Sequence, residues 1–504
     1  MDHEDLAAAL SRVHEAAKKH GGHIVHTSEI ERADRELLAR TKWLQEIIRG
    51  WYLLARPDIQ PGDTSAWYAN FWDFARIYLN EIYGTEYCLS AENSIDLHIG
   101  NPTIPKQVIV ISKRGGGNPI DLPFDTSILV YPDPNNFPSE RVVVRGLQIM
   151  PLSYALCKAT PTYFQKNTTD IQIAFGLIKD PHELIYTITT HHFVRAAERI
   201  VGAYEALHQF ETAELIRQAL KKTGMSIKVV NPFEKPPLID PTPFRSPYAA
   251  RITHLWAALR PLVLQNFPSP PGMANDKAEY LHRLEEIYVR DAYNSLSIEG
   301  YHVNADLIER VRDHHWNPDQ NPADHQERNT LAARGYYEAF LEVKKSIIRI
   351  LTGENPGVVI EQELKNWFQK LFSPSMQAGI LQPNEILGYR RHQVYIRGSR
   401  HVPLPREALF DAMEAFFTCL KKESHPAARA VLGHFMFVYI HPFMDGNGRL
   451  GRFIMNSMLA SGGYPWTVVA VKNRAKYFHA LEQVSVDHDI QQFTLFIAEE
   501  MKAH

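Results

Sequence analysis

Twelve residues near the C-terminal end of the sequence could together transfer a phosphorus-containing group. They run from His441 to Arg452 and read HPFMDGNGRLGR. Histidine titrates close to neutral pH, so His441 can take a proton from an attacking hydroxyl without further tuning. Asp445 offers the hard oxygen ligand that a phosphate-bound Mg²⁺ requires. Arg449 and Arg452 are three residues apart, so on a helix both can reach one polyphosphate.

The segments around this motif explain how its side chains would be brought together. The apolar run 426–440 predicts a helix that delivers His441 at its end, where Pro442 stops it. The backbone of 446–448 can turn its N–H groups into one concavity, called here the anion cradle. A second predicted helix, 449–461, follows at once and directs its positive end at the same place. This combination predicts a nucleotide-transfer site; the alternative is a glycine-rich turn with incidental charges.

Length and composition indicate a soluble protein of several domains. A chain of 504 residues can form two to four domains, and a formal charge of −3 excludes a general polycation. The three cysteines, Cys88, Cys157 and Cys419, are far apart, which excludes a disulfide framework and fits a reducing compartment. The sequence shows no signal peptide and no apolar run long enough to span a membrane, so we expect a cytoplasmic protein.

A proline-rich stretch divides the chain. Residues 231–247 contain six prolines, a density that excludes a helix and suits a spacer. After it the pattern is helical, with helices predicted near 277–300, 328–351, 361–372, 406–421, 426–440 and 449–461. The exception is 388–402, where a β-rich VYI run between glycines predicts a small hairpin flap. Before the spacer, residues 5–54 predict helices followed by a strand pair, and 107–112 and 127–130 predict strands. The glycines at 115–117 lack P-loop spacing and predict a hairpin turn.

The motif resembles that of the Fic family, His-x-Phe-x-Asp/Glu-Gly-Asn-Gly-Arg-x-x-Arg, at every specified position. The similarity extends from about Asp276 to the C-terminus and implies an all-α Fic fold with a β-hairpin flap over 248–504. It implies ATP and Mg²⁺ as cofactors, His441 as the base and Asp445 as the metal ligand. Gly448 and Arg452 favour AMP transfer over phosphorylation. The implied ATP-binding residues are Asp445, Gly446, Asn447, Gly448, Arg449, Leu450, Gly451, Arg452 and Tyr477, although Tyr477 taken alone would be assigned to the core.

A second segment resembles the Fic inhibitory motif. Residues 295–300 read Ser-Leu-Ser-Ile-Glu-Gly, matching Ser/Thr-x-x-x-Glu-Gly/Asn upstream of the catalytic core. The resemblance implies that Ser295, Glu299 and Gly300 end an inhibitory helix near 277–300 and that Glu299 pairs with Arg452. Without it, Glu299 would be read as a solvated acid before a C-cap glycine. We expect the flap to hold a target segment by strand addition through Val394, Tyr395 and Ile396, or to pack on its own core.

The N-terminal half resembles a winged helix-turn-helix over 1–60, followed over 61–230 by a domain similar to AbiEi-type antitoxins and transcriptional regulators. In the first part, HTSEI would form a capped helix, ELLARTKWLQEII would contain the recognition helix and RGWYLL the wing. Arg35, Arg40, Lys42 and Arg49 would contact DNA phosphates, although nearby acidic residues dilute this charge. The alternative is a protein-interaction domain of the same fold.

These observations predict an autoinhibited protein adenylyltransferase that transfers AMP from ATP to a Ser, Thr or Tyr hydroxyl of a protein, possessing also a regulator-like domain. The protein target is not readable from the sequence; the family resemblance leaves self-modification open, and both resemblances favour a homo-oligomer. Two alternatives remain open. One is an antitoxin-like repressor whose Fic domain senses nucleotide, and the other is a Fic enzyme that removes AMP with the help of Glu299.

Overall fold

The computed structural model describes residues 3–57, 63–135, 137–234, 246–272, 276–313 and 328–502. The chain divides into two compact units. The N-terminal unit consists of residues 1–243 together with 395–402, and the C-terminal unit of 244–394 together with 403–504. The boundary at 243 and 244 falls inside the stretch predicted as a linker, of which residues 235–245 lie outside the described ranges.

The N-terminal unit begins with helices packed on a three-stranded sheet. Its elements are α1 (His3–Ala17), β1 (Ile24–His26), α2 (Arg32–Arg40), β2 (Leu44–Ile48) and β3 (Trp51–Leu54). The antiparallel sheet has the order β1-β3-β2. Val13, Val25 and Leu38 are buried between the layers, and the half-exposed Arg12 pairs with the buried Asp34 at 2.7 Å to fix α1 against α2. The strand pair predicted to close on IIRGWYLL is thus present. The HTSEI segment forms only a short 3₁₀ turn, Thr27–Glu29, and the winged-helix assignment stays a prediction.

A four-stranded sheet follows. It is preceded by α3 (Ser65–Tyr83), and β4 (Tyr87–Leu89) leads into α4 (Ala91–His98). The remaining strands are β5 (Gln107–Ser112), β6 (Pro119–Leu122) and β7 (Thr126–Pro132), in the order β4-β5-β7-β6. Because β5 pairs with β7 in parallel, the glycines at 115–117 lead into a strand that is not the neighbour of β5. The prediction of a hairpin turn there was therefore wrong.

The N-terminal unit ends in a small hairpin and a group of helices. The hairpin pairs β8 (Val142–Val144) with β9 (Leu147–Ile149). The helices are α5 (Leu152–Lys158), α6 (Pro161–Lys166), α7 (Thr168–Leu177), α8 (His182–His191), α9 (Val194–Ala206) and α10 (Phe210–Lys222). Their buried faces carry small and branched apolar residues such as Ala197, Ile200 and Val201. The AbiEi resemblance stays a prediction.

The C-terminal unit is helical throughout its described residues. Its helices are α11 (Pro247–Asn266), α12 (Lys277–Ile298), α13 (Ala305–Arg312), α14 (Arg328–Leu351), α15 (Pro356–Gln377), α16 (Leu409–Lys422), α17 (Pro426–Ile440), α18 (Asn447–Ala460), α19 (Arg474–Asp487) and α20 (Gln491–Lys502). They share one hydrophobic core. Helix α17 lies at its centre, because apolar and small residues surround nearly its whole circumference. Helices α14 and α15 approach closely at Gly335, where a β-carbon would lie 2.0 Å from the carbonyl oxygen of Leu371.

The predicted hairpin over 388–402 is absent from these residues, and that prediction was wrong. The Ser399 N–H donates to the Ile396 oxygen at 3.1 Å to form a turn, and residues 398–402 bond to distant parts of the N-terminal unit. His401 forms a single antiparallel bridge with Thr103, and the Val402 N–H donates to the Pro102 oxygen at 2.8 Å. The Gly398 N–H donates to Thr64 Oγ1 at 3.1 Å. These external partners satisfy the backbone groups that a hairpin would have paired.

Two smaller predictions concern cysteine and membranes. All three cysteines are described and none forms a disulfide. Within the described ranges, the structure contains no helix with the length and apolarity needed to cross a membrane. The cytoplasmic location stays a prediction.

Candidate active site

The end of α17 sets the position of the predicted base. The last turn of the helix closes with the His441 N–H donating to the Phe437 oxygen at 3.0 Å. His441 then adopts φ 54° and ψ 60°, a left-handed conformation that costs a residue with a β-carbon roughly 1–2 kcal/mol. This conformation ends α17 before Pro442, so that the motif forms a loop between α17 and α18.

The imidazole of His441 is held in the form that a base requires. Its Nδ1 lies 3.1 Å from the Val438 carbonyl oxygen. Because a carbonyl only accepts, Nδ1 carries the proton and Nε2 carries the lone pair. Burial, together with the positive charge of Arg390, lowers the pKa of His441 to about 4, although the hydrogen bond to Val438 and the carboxylates of Glu299 and Asp445 act in the opposite direction. The ring is therefore neutral at physiological pH.

Phe443 and Asn447 fix the loop. The Phe443 ring is fully buried and stacks on Phe368 with centroids 3.9 Å apart. The Asn447 side chain accepts from the Phe443 N–H at 3.0 Å and donates to the Phe443 oxygen at 2.8 Å. The Asn447 side chain thus closes the loop with its oxygen and one of its two N–H donors. The role of Asn447 in the cradle stays a prediction.

The anion cradle lies at the N-terminal end of α18, where the Gly446 N–H donates to Asp445 Oδ1 at 2.6 Å and the Glu299 carboxylate lies close to Gly448. Gly446 has φ 83°, and a β-carbon there would lie 2.9 Å from the Phe372 ring. A β-carbon on Gly448 would lie only 2.2 Å from Glu299 Oε1. The negative charge of Glu299 therefore sits where the helix end and the N–H groups favour an anion.

Arg452 is bound to the end of α12. Its Nη2 donates to Glu299 Oε1 at 2.8 Å and to the Ser295 carbonyl oxygen at 3.0 Å, and its Nε donates to Ser295 Oγ at 2.7 Å. The Arg452 side chain is 3% exposed and that of Glu299 24%. Gly300, at φ 86°, ends the helix. Ser295 and Glu299 of the predicted inhibitory motif thus both bond to this arginine, and Gly300 follows them at the end of the helix.

Arg449 and Asp445 form the other side of the site. The Arg449 guanidinium lies 5.1 Å from the ring centroids of both Tyr301 and Phe372 and 3.2 Å from Asp445 Oδ2. The Asp445 side chain is 57% exposed. Among the described residues, no group of three or more His, Cys, Asp or Glu side chains converges on a metal position. Magnesium binding by Asp445 stays a prediction.

The other predicted ATP-binding residues are buried in this conformation. Tyr477 is 1% exposed, and its hydroxyl lies 2.7 Å from Nε2 of His434. Burial raises the pKa of Tyr477 to about 12. Leu450 is a core residue, and Gly451 allows α18 to approach α17, because a β-carbon there would lie 3.0 Å from Val438. In this conformation these residues are part of the core next to the site, and their contact with ATP stays a prediction.

Sequence reasoning missed the residues that hold α12 in place. Tyr336 donates to Asp291 at 2.6 Å in a buried contact, and burial raises the pKa of Asp291. Nε of Arg474 donates to the Ile298 oxygen at 2.8 Å, where α12 ends. Asp291 precedes Ser295 and Glu299 by one and two helical turns, so this spacing was a signal that could have found it.

The remaining predicted residues lie in or next to the N-terminal unit. Val394 ends the first segment of the C-terminal unit, whereas Tyr395 and Ile396 belong to the N-terminal unit. None of these three residues is in a strand, and target docking by strand addition stays a prediction. Of the predicted DNA-contacting residues, Arg40, Lys42 and Arg49 are exposed and Arg35 is half-buried. Lys42 has φ 63°. DNA binding also stays a prediction.

Comparison with known proteins identifies part of this region. Residues 360–459 match the model of the Fic/DOC family. A protein named Protein adenylyltransferase Fic from Drosophila virilis is 40% identical over 125 residues, which cover 24% of this chain and 25% of the relative. Its namesake from Drosophila melanogaster is 39% identical over 125 residues, with the same coverage of 24% and 25%. The chain thus spans about a quarter of the length of these curated relatives.

Solved structures give a weaker match. A fragment of Fic-1 from C. elegans covers 70% of this chain and 88% of its own length, at 17% sequence identity and a TM-score of 0.38. A score this low supports no conclusion about the shared architecture.

Proposed function

We propose that this chain, which carries a Fic domain over residues 360–459, is a protein adenylyltransferase that holds itself in an inhibited state. The observation that carries the proposal is the position of Glu299. Its carboxylate accepts from Arg452 at 2.8 Å and lies beside Gly448, at the start of the helix that carries the cradle. A negative group held by an arginine and a helix N-terminus imitates the phosphate oxygens that these groups would bind.

The reaction follows from the residues of the motif. Nε2 of His441 takes the proton of a Ser, Thr or Tyr hydroxyl, and the hydroxyl oxygen attacks the α-phosphorus of ATP. The bond between this phosphorus and the β-phosphate oxygen breaks, and pyrophosphate leaves. The N–H groups of the cradle stabilise charge at the α-phosphate, while Arg449 and Arg452 bind the β- and γ-phosphates.

Asp445 fits the role of the residue that holds Mg²⁺. Its exposed carboxylate stands beside the cradle and beside Arg449, and one carboxylate together with phosphate oxygens is a common set of ligands for this ion. A bound Mg²⁺ would neutralise charge on the phosphates and on the leaving pyrophosphate. One carboxylate leaves most of the coordination shell of Mg²⁺ to phosphate oxygens and water, so we expect the ion to bind together with ATP and not before it.

Inhibition follows from the same contacts. While Glu299 holds Arg452, the γ-phosphate lacks its arginine, and the carboxylate repels a phosphate from the cradle. ATP then binds in an unproductive position or not at all. Movement of the end of α12 would free both groups at once.

The test is transfer of label from [α-³²P]ATP to protein by the Glu299→Gly variant. We expect His441→Ala in that background to abolish transfer, with a loss of about 10²–10⁴ in rate, while ATP binding measured by calorimetry is retained. Chelation of Mg²⁺ should also stop transfer, and mass spectrometry of a treated lysate should show a gain of AMP on a hydroxyl. Binding of ATP without transfer would instead favour the nucleotide-sensing repressor.

The reverse reaction is the second candidate. The Glu299 side chain is 24% exposed, so it could align a water for the removal of AMP. Release of AMP from a labelled protein by the wild type, but not by Glu299→Gly, would establish this activity in place of the first.

A further inference from the structure

Arg390 makes an unusual set of contacts beneath the catalytic loop. It is 4% exposed, and its guanidinium donates to three backbone carbonyl oxygens. Nε donates to His441 at 2.8 Å, Nη1 donates to His392 at 3.0 Å, and Nη2 donates to Leu404. The Arg390 backbone N–H also donates to the Pro442 oxygen at 2.8 Å. One residue therefore binds the carbonyl groups of both residues at which α17 gives way to the loop.

These bonds fall where the backbone needs support. The left-handed conformation of His441 persists only when its surroundings determine it. Asn447 holds the loop at Phe443, but it does not reach His441. Arg390 supplies the missing support, since it fixes the peptide groups on the C-terminal side of the base. The direction in which Nε2 points depends on that backbone.

The same guanidinium also joins two separate stretches of chain. His392 precedes the segment 395–402 in the chain, and Leu404 follows it. Arg390 therefore bonds to one residue of the C-terminal unit before this segment and to one after it. Gln393 reinforces this closure, because its Nε2 donates to the Pro403 oxygen at 2.6 Å. Any displacement of the chain at 391–394 or 403–404 therefore reaches the His441 carbonyl through one side chain.

We propose that Arg390 is a positioning residue: it sets the orientation of the base His441 and couples it to the two ends of the 395–402 segment. The kinetic test of this inference rests on the proposed AMP transfer. The role requires a guanidinium, because its rigid planar group of N–H donors can bond to three carbonyl oxygens at once. A lysine keeps the charge but presents a single point of donation.

The experiment compares Arg390→Lys and Arg390→Gln in the Glu299→Gly background, with the neighbouring exposed Arg391→Gln as the matched control. We expect kcat to fall about 10²-fold in both Arg390 variants, as is typical when a base is displaced by about 1 Å. KM for ATP should not change, and the Arg391 control should keep its kcat. A lysine variant with kcat within about threefold of its parent, or a rise in KM for ATP with unchanged kcat, would overturn the proposal.

A second measurement needs no turnover. The ¹³Cε1 resonance of His441, assigned by its loss in His441→Ala, reports the pKa of the ring. The charged groups that face it are Arg390, Glu299 and Asp445. We expect its pKa to rise from about 4 towards the ordinary value in both Arg390 variants, as the ring leaves its buried position. If the parent protein transfers no AMP, the proposed function fails, and an unchanged pKa here would separately refute the role of Arg390.

Discussion

Replacing Glu299 by glycine removes the contact that holds the site closed. The variant loses the bond from Arg452 Nη2 at 2.8 Å and clears the carboxylate from the space next to Gly448. The two bonds from Arg452 to Ser295 remain, so the arginine keeps its place. Glu299 is the C-cap residue of α12, where glycine is tolerated. The substitution therefore tests the brake with little effect on the helix.

The contact sets the size of the expected gain. A hydrogen bond between charged groups contributes about 1.5–3 kcal/mol, and each 1.36 kcal/mol corresponds to a factor of ten. Because the Glu299 side chain is only 24% exposed, solvent screening reduces this value little. Loss of the contact should shift the balance towards the open site by about 10- to 150-fold. The fraction of wild-type molecules already open limits the gain that is observed.

The assay is the initial rate of label transfer from [α-³²P]ATP at saturating Mg²⁺. Glu286→Ala is the matched control, since Glu286 is an exposed acid on the same helix, and its rate should equal that of the wild type. Glu299→Gln should give an intermediate rate, because the amide can still accept from Arg452 but carries no charge. Ser295→Ala should add to the effect of Glu299→Gly, since it releases Arg452 Nε.

Equal rates for wild type and Glu299→Gly would refute the assignment of the brake. A glutamine variant as slow as the wild type would refute the electrostatic part of the reasoning and leave only steric exclusion at Gly448.

Two further predictions concern stability. Burial lowers the pKa of His434 to about 3 in the folded protein, whereas a histidine in the unfolded chain has a pKa near 6.5. The contribution of His434 to the free energy of unfolding should therefore be fully present above pH 6.5 and fall as the pH drops towards 3. The slope of Tm against pH should be shallower in His434→Gln than in the control His282→Gln, an exposed site, and equal slopes would contradict this. Gly335→Ala should lower the free energy of unfolding by roughly 1–3 kcal/mol, because a β-carbon there would lie 2.0 Å from a backbone oxygen. The control Gly176→Ala, with no atom within 4 Å of its β-carbon and a position within α7, should not lower the free energy of unfolding in chemical denaturation.

Local sequence patterns predicted helices of the C-terminal unit. Helix α17 runs over Pro426–Ile440, as its apolar run and the stop at Pro442 predicted. Helix α14 likewise covers the predicted range 328–351. The Glu299 to Arg452 contact was predicted by resemblance alone, since no periodicity relates residues so far apart in the chain.

The features that were missed depend on partners distant in the sequence. The VYI run at 394–396 has strand propensity, but the backbone groups of 398–402 form hydrogen bonds with Thr64 and with residues 102–104 and not within a hairpin. Tertiary context therefore overrides local preference. Similarly, nothing near Arg390 in the sequence indicates that its guanidinium would bind the carbonyl of His441. The glycines at 115–117 suited a hairpin, but the parallel pairing of β5 with β7 cannot be read from a turn.

The segment 395–402 also constrains the order in which the protein can mature during synthesis. The N-terminal unit includes these residues, and Arg400 bonds to the Ile104 oxygen at 2.8 Å. A growing chain folds its domains as they leave the ribosome, but here the N-terminal unit lacks residues 395–402 until more than half of the C-terminal unit is translated. The helices up to α15 must therefore emerge while the N-terminal unit is still incomplete. A nascent chain arrested before residue 402 should be more sensitive to protease in its N-terminal half than one arrested well after it.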